Sequence, residues 1–399
     1  MQKAAFLRST YPRGKNIANT FCARAGSPNK LTARPERGIQ KYNMKRYAVI
    51  MAGGAGERFW PLSRRSKPKH LWNVAGGESC LLSMTYARAR RAVEPENVYV
   101  VTNAEQVGAI ASVCPEIARD KIIVEPAGRD TTAAIGLSAA YLKKIGGGED
   151  SSFAVFPSDH IVSDAEAFAR TIGAAFEVAE SGGGLVTIGI VPTFPATGYG
   201  YIRRGEKFSA DFGEYYKVAR FFEKPNLARA SEYAASGEFY WNAGIFVWKT
   251  SAILAAIEKN APGTGKILRE ISAAPDSGFF AAAQKLYPQI EKISIDFSVM
   301  ERADNAWTVP AKFDWDDVGS WAAAERHMPR VADGNAAVGE LFAADSKNCA
   351  VFDAAGRATA LMGVEGLVVV HSKDATLVCK KESAEKLKDL VKTLPERFR

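Results

Sequence analysis

The chain has 399 residues, of which 47% are hydrophobic and 24% charged, a composition typical of a globular protein with a sizeable core. The net charge of +8 would suggest a nucleic-acid partner, but residues 1–43 hold nine Lys or Arg and one acid, which accounts for the whole excess. The rest of the chain is therefore neutral and predicts no nucleic-acid surface. No apolar run reaches the roughly 20 residues of a membrane span, so no membrane association is expected.

The N-terminal residues and the cysteines indicate a cytoplasmic protein. Residues 1–43 show no apolar period and are predicted to be a disordered basic extension, so a chain that starts at Met44 should keep its activity and melting temperature. No apolar segment of a secretory signal follows the early basic residues. The five cysteines are far apart, without a Cys-x-x-Cys pair, and indicate reduced thiols.

Residues 44–330 alternate between strand and helix patterns. Short β-branched or aromatic runs predict strands at 47–51, 98–102, 121–125, 153–156 and 185–190. Apolar residues at helical spacing predict helices at 81–91, 132–144 and 165–180. This alternation is typical of βαβ units and predicts an α/β domain with a mostly parallel, doubly wound sheet.

Residues 331–399 differ in composition and predict a second, small, β-rich domain. Short strands separated by Gly, Asn and Asp are predicted at 349–352, 358–362, 366–371 and 375–380. These tandem strands are compatible with the coils of a left-handed β-helix, although they are too few to show a period. A final helix at 382–394 would place one apolar face on the domain, made of Leu387, Leu390, Val391 and Leu394.

The most informative segment follows the first strand, where Gly53, Gly54 and Gly56 precede Arg58, with Lys69 a little further on. A strand that enters a glycine-rich turn can present successive backbone N–H groups to phosphate oxygens, and the two cations add positive charge. A dinucleotide-binding fingerprint is excluded because a phenylalanine stands where its third glycine is required, and the chain has no Gly-Lys-Ser/Thr of a P-loop. The segment therefore predicts a triphosphate-binding loop of another kind.

This segment resembles the signature of the sugar-1-phosphate nucleotidylyltransferases, and the landmarks after it resemble their mannose-1-phosphate guanylyltransferase branch. The landmarks are, in chain order, Glu125-Pro-Ala-Gly-Arg129, Pro157-Ser-Asp159-His160, Thr197-Gly-Tyr-Gly-Tyr201, Phe222-Glu-Lys-Pro225, Trp241-Asn-Ala-Gly-Ile-Phe246, Ser294-Ile-Asp-Phe297 and Trp315-Asp-Asp-Val-Gly-Ser-Trp321. The resemblance implies a GT-A-like nucleotidyltransferase domain. It also implies transfer of a guanylyl group from GTP to mannose 1-phosphate, giving GDP-mannose and pyrophosphate.

The resemblance also implies roles for individual residues. The expected nucleotide-binding residues are Gly53, Gly54, Gly56, Arg58, Arg129 and Asp159. The expected sugar-binding residues are Gly198, Glu223 and Asn242, and the expected catalytic cations are Arg58, Lys69 and Lys224. Because Mg²⁺ prefers oxygen ligands, it is expected on Asp159 and Asp317, with Asp316 as a solvated neighbour. The attacking phosphate is already mostly ionised at neutral pH, since its second pKa is about 6, so no general base is needed.

Several alternatives stay open at this point. The same chemistry with another base or sugar is one, for example a glucose-1-phosphate thymidylyl- or uridylyltransferase. A non-catalytic regulator that binds a nucleotide sugar is another, but it would not need both metal-binding carboxylates. A homodimer is compatible with the sequence, and no residue pattern specifies it. Longer relatives carry an additional isomerase domain, and we expect a single activity here.

Overall fold

The computed structural model describes residues 44–54, 56–64, 67–73 and 79–399, so the predicted basic extension at 1–43 lies outside the described residues. Within the described residues, no helix is long and apolar enough to cross a membrane. The larger part of the chain is built on a nine-stranded sheet. Its strands are β1 (Arg46–Met51), β2 (Val98–Asn103), β3 (Ile122–Glu125), β4 (Ser152–Pro157), β5 (Leu185–Ile190), β6 (Tyr201–Ala210), β7 (Gly213–Phe222), β8 (Phe239–Lys249) and β9 (Ala306–Pro310).

The strand order of this sheet is β3-β2-β1-β4-β8-β5-β9-β7-β6. Strands β1 to β4 are parallel, β9 is parallel to β5, and β7 and β8 run against their neighbours. From β1 the chain builds outward to β2 and β3, then crosses back to place β4 on the other side of β1. Ligands of open α/β sheets bind at such a switch point, outside the carboxyl ends of the strands. The loops after β1 and β4 border this crevice.

Helices cover both faces of the sheet because successive residues of a strand point to opposite sides. The helices are α1 (Leu81–Ala92), α2 (Ala104–Val113), α3 (Asp130–Ile145), α4 (Ala165–Gly182), α5 (Leu227–Ser236), α6 (Thr250–Asn260), α7 (Pro262–Ala273), α8 (Phe279–Leu286) and α9 (Trp321–Ala324). In β1, Ala48 and Ile50 pack in one apolar layer with α1, α2 and α4, whereas Tyr47 and Val49 pack in the other with α3, α6, α7 and α8. The predicted mostly parallel, doubly wound sheet is confirmed.

The C-terminal part is β-rich, as predicted, and its strands stack as in a β-helix. One sheet contains β10 (Ala336–Val338), β12 (Ala350–Asp353), β14 (Leu367–His371) and β15 (Thr376–Lys380), and a second contains β11 (Leu341–Ala344) and β13 (Thr359–Met362). Pairs β10–β12, β12–β14 and β11–β13 are parallel, so each turn of the chain lies on the one before it. The left-handed sense stays a prediction.

Two details of this part differ from the sequence prediction. Strands β10 and β11 were not predicted, because they are short and small residues dominate them. The final helix is shorter than expected: residues 381–386 form a 3-10 helix, and only α10 (Leu387–Thr393) is α-helical. Leu387 and Val391 are buried, but Leu390 is 46% exposed and does not belong to the apolar face.

The C-terminal part packs directly against the segment that follows β1. Phe59, Trp60 and Leu62 share one apolar cluster with Val318, Trp321 and the C-terminal Leu387. Trp60 donates its indole N–H to the carbonyl of Phe398 at 2.8 Å, and Trp321 donates to the carbonyl of Trp60 at 3.0 Å. The signature segment is thus held in place by the last residues of the chain.

Candidate active site

The glycine-rich turn after β1 is open on one side and tightly packed on the other. A side chain at Gly53 or Gly54 would meet nothing within 4 Å, so a ligand can approach this backbone closely. At Gly56 the backbone is left-handed, with φ +60°, and a methyl group would lie 2.9 Å from the backbone nitrogen of Lys69. Arg58 is exposed on the 3-10 helix Glu57–Phe59 and has no hydrogen bond or ion pair to the described residues. The loop geometry therefore suits an anionic ligand above it.

The two predicted metal ligands are brought together by backbone pairing. Asp159 follows β4, and the nearby Ile161 exchanges two backbone hydrogen bonds with Asp316, at 2.9 and 3.1 Å. Lys69 is 6% exposed and links the two segments. Its ammonium group donates to Oδ2 of Asp159 at 2.9 Å and to the carbonyl of Asp317 at 2.7 Å. Lys69 thus lies among the predicted metal ligands.

The carboxylates of Asp159 and Asp317 have different electrostatic environments. Burial alone would raise the pKa of Asp159, but the charge of Lys69, the neighbouring His160 and the hydrogen bond from Lys69 together outweigh burial and lower the pKa to about 2. The pKa of Asp317 is raised, because burial outweighs the hydrogen bond from Tyr199 and the charge of Lys69. Tyr199 donates its hydroxyl to Oδ1 of Asp317 at 2.9 Å.

The donor set fits a magnesium ion that keeps part of its water shell. Oδ1 of Asp159 and Oδ2 of Asp317 have no hydrogen-bond donor among the described residues, so each carboxylate has an oxygen available. Across the described ranges, no three His, Cys, Asp or Glu side chains cluster closely enough to hold a metal ion on their own. Mg²⁺ commonly binds through one or two carboxylates together with waters and substrate phosphates, which matches this arrangement.

The expectation that Asp316 is a solvated neighbour is wrong. Asp316 is only 9% exposed, and Arg326 donates to both of its carboxylate oxygens, at 2.8 and 2.9 Å. His327 bonds Oδ2 at 2.8 Å, and the backbone N–H of Val318 donates to Oδ1 at 2.8 Å. Although burial would raise the pKa of Asp316, these hydrogen bonds hold it far below its usual range. Asp316 therefore fixes the turn from which Asp317 faces the cleft.

A cleft of about 180 Å³ opens beside Asp317, and the strand pairing explains its position. β4 pairs with residues 246–249 of β8, and β6 pairs with residues 239–241 along the same edge. Neither strand covers residues 243–245, so a gap remains between the end of β4 and the start of β6. The cleft occupies this gap and is lined by Pro157, His160, Gly198, Tyr199, Gly200, Glu223, Asn242, Ala243, Gly244, Asp296, Trp315 and Asp317.

All three predicted sugar-binding residues line this cleft. Gly198 has open space around it, whereas a methyl group at Gly200 would lie 2.6 Å from Oε2 of Glu223, so a side chain at Gly200 would displace the Glu223 carboxylate. Glu223 also accepts a hydrogen bond from Lys224, at 2.5 Å between Nζ and Oε1. Lys224 has a left-handed backbone, with φ +47°, and its side chain is 58% exposed beside the cleft.

Arg129 is one of the predicted site residues that do not line this cleft. It lies after β3, at the same edge of the sheet, and is not among the residues that line the cleft. Its guanidinium group donates two hydrogen bonds to the carbonyl of Pro288, one of them at 2.9 Å from Nε. Its role in nucleotide binding stays a prediction.

Four cleft residues with polar or aromatic side chains were not assigned a role from the sequence, although all of them lie in the quoted landmarks: His160, Tyr199, Asp296 and Trp315. Trp315 donates its indole N–H to Nδ1 of His160 at 3.1 Å, and its ring packs edge-on against Tyr199. Their contacts depend on how distant segments fold together. Two sequence features point to a role for them: Tyr199 lies between two glycines, and Asp296 is a polar residue within an apolar segment.

Comparison with known proteins agrees with this geometry. The profile of the family described as "Nucleotidyl transferase" matches residues 47–333, and that of the "MannoseP isomerase/GMP-like beta-helix domain" matches residues 339–394. The chain is 36% identical over 355 residues to a mannose-1-phosphate guanylyltransferase of Escherichia coli K12, covering 88% of this chain and 73% of that protein. It is 37% identical to another from Salmonella montevideo, covering 87% and 73% of the two chains.

A solved structure from Thermus thermophilus, described as a mannose-1-phosphate geranyltransferase, superposes with a TM-score of 0.77 at 35% identity. The match covers 88% of this chain and 99% of that one, so it includes the sheet, the cleft and the β-rich part together. The sequence resemblance, the fold and the comparisons all lead to one assignment. The chain belongs to the nucleotidyl transferase family and, within it, to the group that contains the mannose-1-phosphate guanylyltransferases.

Proposed function

We propose that the chain transfers a guanylyl group from GTP to mannose 1-phosphate, giving GDP-mannose and pyrophosphate. The observation that carries this proposal is that one cleft is lined both by Asp317, a candidate metal ligand, and by the polar residues Glu223 and Asn242. A sugar phosphate bound there has its hydroxyls near the polar residues and its phosphate towards the cations. The choice of GTP and mannose 1-phosphate rests on the named relatives.

The glycine-rich turn supports the triphosphate end of the proposal. Gly53 and Gly54 leave space for phosphate oxygens to reach the backbone N–H groups, and Arg58 is exposed and unpaired within the described ranges. A planar guanidinium group binds phosphate in a bidentate manner, which suits it for holding a leaving pyrophosphate. This loop and the cleft flank the crevice between β1 and β4.

The proposed reaction is an in-line attack by an oxygen of the sugar phosphate on the α-phosphorus of the nucleotide. Two anions must approach each other, so the chain contributes mainly position and positive charge. Lys224 lies beside the sugar-binding residues and can neutralise the attacking phosphate, while Lys69 fixes the segments of Asp159 and Asp317. Asp159 and Asp317 would hold Mg²⁺, which when bound would neutralise charge on the triphosphate. We place this reaction in the cytoplasm.

The experiment is a substrate matrix. The protein is incubated with GTP, ATP, UTP or dTTP and with mannose 1-phosphate or glucose 1-phosphate, with Mg²⁺ present, and pyrophosphate release is measured. We expect the highest kcat/KM for GTP with mannose 1-phosphate. A site that hydrogen-bonds the axial 2-hydroxyl leaves polar groups unpaired when that hydroxyl is equatorial, so glucose 1-phosphate should be poorer. A higher kcat/KM for glucose 1-phosphate with UTP or dTTP would replace the assignment, and no release with any pair would support a non-catalytic regulator.

A further inference from the structure

Asp296 lies at the wall of the cleft, on a short segment that the rest of the protein holds firmly. It begins the π-helical turn Asp296–Met300, in which Val299 and Met300 are fully buried. The backbone N–H of the preceding Ile295 donates to the hydroxyl of Thr131 at 2.8 Å. The polar side chain of Asp296 is therefore placed at the cleft by a rigid apolar anchor.

Asp296 is hydrogen-bonded to Asn242, and the orientation of that amide is fixed. Oδ1 of Asn242 accepts from the hydroxyl of Thr187 at 2.9 Å and from the backbone N–H of Gly244 at 3.2 Å. Because two donors face this oxygen, the amide nitrogen must point the other way, where it donates to Oδ1 of Asp296 at 2.7 Å. If the amide of Asn242 turned over, it would lose its hydrogen bonds with Gly244 and Asp296.

This arrangement leaves one donor and one acceptor side by side. The second N–H of Asn242 and Oδ2 of Asp296 have no partner among the described residues, and both residues line the cleft. A hydroxyl group both donates and accepts a hydrogen bond, so it can satisfy this pair alone, or two adjacent hydroxyls of one ring can share it. A phosphate cannot, since it has no proton to donate to the carboxylate once it is ionised.

The charges around Asp296 also favour a neutral part of a ligand. Burial and the neighbouring Glu223 carboxylate raise the pKa of Asp296 to about 6, so two acidic groups face this end of the cleft. The charge of Lys224, which bonds Glu223, offsets only part of the negative charge at Asp296, since the pKa of Asp296 is still raised. An anionic group would be repelled here, whereas hydroxyl donors would stabilise both carboxylates.

We propose that Asp296 is a sugar-binding residue that determines specificity: together with Asn242 it forms a donor–acceptor pair that binds a ring hydroxyl of the hexose 1-phosphate. The inference rests on the proposed function for the class of ligand. It assigns a substrate contact to a residue that would otherwise only hold Asn242 in place. A role in binding the sugar and a role in positioning Asn242 predict different kinetics for variants of Asp296.

The test combines Asp296→Asn with mannose 1-phosphate analogues that lack one hydroxyl each, at positions 2, 3, 4 or 6. For wild type, removal of the hydroxyl bound by Asp296 should lower kcat/KM about 10- to 100-fold, since a hydrogen bond to a charged group is worth about 1.5–3 kcal/mol. Asp296→Asn should lower kcat/KM for intact mannose 1-phosphate to a similar extent. For that one deoxy analogue, the variant and wild type should differ little, because the interaction is already absent.

Two further variants separate binding from positioning. Thr187→Val removes one of the two donors that orient Asn242, so it should copy the kinetics of Asp296→Asn if Asp296 acts only through Asn242. Asp211→Asn makes the same chemical change at the exposed turn between β6 and β7, and it should leave all rates unchanged. The KM for GTP should stay within about twofold in every variant. Asp296→Ala, checked by thermal melting, replaces Asp296→Asn if the latter does not fold.

The outcomes are distinct. If the Asp296→Asn penalty is the same with every deoxy analogue, or if Thr187→Val reproduces it, Asp296 only positions Asn242 and the inference is overturned. Wild-type rates for Asp296→Asn would overturn it as well. If the wild type uses another hexose 1-phosphate, the proposed function fails separately, and the deoxy series of that sugar then tests Asp296 in the same way. If the wild type turns over no pair, calorimetric titration of mannose 1-phosphate into wild type and Asp296→Asn decides, and equal affinity overturns the inference.

Discussion

The ammonium group of Lys69 lies 2.9 Å from the carboxylate of Asp159, at the bottom of the crevice between β1 and β4. The side chain of Lys69 is nearly buried, whereas that of Asp159 is 38% exposed. In the proposed mechanism Asp159 thus has two partners, a buried lysine on one oxygen and a metal ion on the other. Because only Asp159 has this double role, substitutions of Asp159 and Asp317 should differ in their effect on stability.

Asp159→Asn and Asp317→Asn should each reduce turnover about a hundredfold or more, because an amide keeps the shape of the carboxylate but loses the charge that holds Mg²⁺. Steady-state rates across a Mg²⁺ titration provide the measurement. Asp159→Asn should also lower stability by about 1–3 kcal/mol, because it leaves the charge of Lys69 buried beside a neutral amide. Asp317→Asn should melt near the wild type. Full activity of both variants would show that the metal assignment is wrong.

Asp316→Asn should mainly destabilise the fold, by about 1–3 kcal/mol, since it breaks the paired hydrogen bonds with Arg326. This replaces the expectation that Asp316 is a solvated neighbour with little effect. A double-mutant cycle with Arg326→Gln, measured by urea unfolding, gives the coupling between the two side chains. If the two changes in the free energy of unfolding are strictly additive, the interaction between Asp316 and Arg326 contributes nothing to stability. Below its melting temperature, Asp316→Asn should keep a higher turnover than Asp317→Asn.

Gly56→Ala and Gly53→Ala form a matched pair within the glycine-rich turn after β1, the proposed phosphate-binding loop. At Gly56 the added methyl group requires a left-handed alanine and overlaps the backbone of Lys69, so the melting temperature and kcat should both fall. At Gly53 the methyl group points into open space, so stability should be unchanged and only the KM for GTP should rise. Thermal melts and initial rates test both. Equal melting temperatures for the two variants would contradict the packing described for this loop.

Asp296 should make the folded protein less stable as the pH rises from about 4 to about 6. Its pKa is 3.8 as an ordinary Asp and about 6 in the folded chain, so between these values the folded state binds more protons than the unfolded state. The charged groups that face it are Glu223 and Lys224. Asp296→Asn should therefore gain about 1–3 kcal/mol relative to wild type between pH 4 and pH 7. Urea unfolding at pH 4 and at pH 7 measures this gain in the free energy of unfolding, and Asp211→Asn should show no such gain.

Strands β1 to β5 were predictable from the sequence because they are largely buried on both faces and read as short apolar runs, whereas β6 and β7 are partly exposed along most of their length. Helices α1, α3 and α4 begin and end within two residues of their predicted bounds, since their apolar spacing is regular. The glycine-rich turn and the acidic residues after β4 were also visible, because sheet edges and glycines leave a local signal. The short strands β10 and β11 lack such a pattern and depend on stacking against β12 and β13.

The sequence did not predict the environment of site residues that contact distant segments of the chain. Nothing in the sequence near Asp316 shows that Arg326 and His327 fold back onto it, so two adjacent acids could not be distinguished by burial. The environment of Asn242 likewise depends on Thr187 and Asp296, which are far away in the chain. Local sequence patterns identify candidate functional residues. Only the folded structure shows which of them form hydrogen bonds or ion pairs with one another.

The apolar cluster that joins Phe59 and Trp60 to Trp321 and Leu387 makes the phosphate-binding loop and the C-terminal part energetically interdependent. A ligand that tightens the phosphate-binding loop must also slow the opening of the C-terminal strands, and by reciprocity a loosened C-terminal core must weaken that ligand. Amide hydrogens of β14 and β15, remote from any reacting atom, should thus exchange more slowly when GTP is bound. The β-rich C-terminal part would then contribute to the affinity of the proposed nucleotide site.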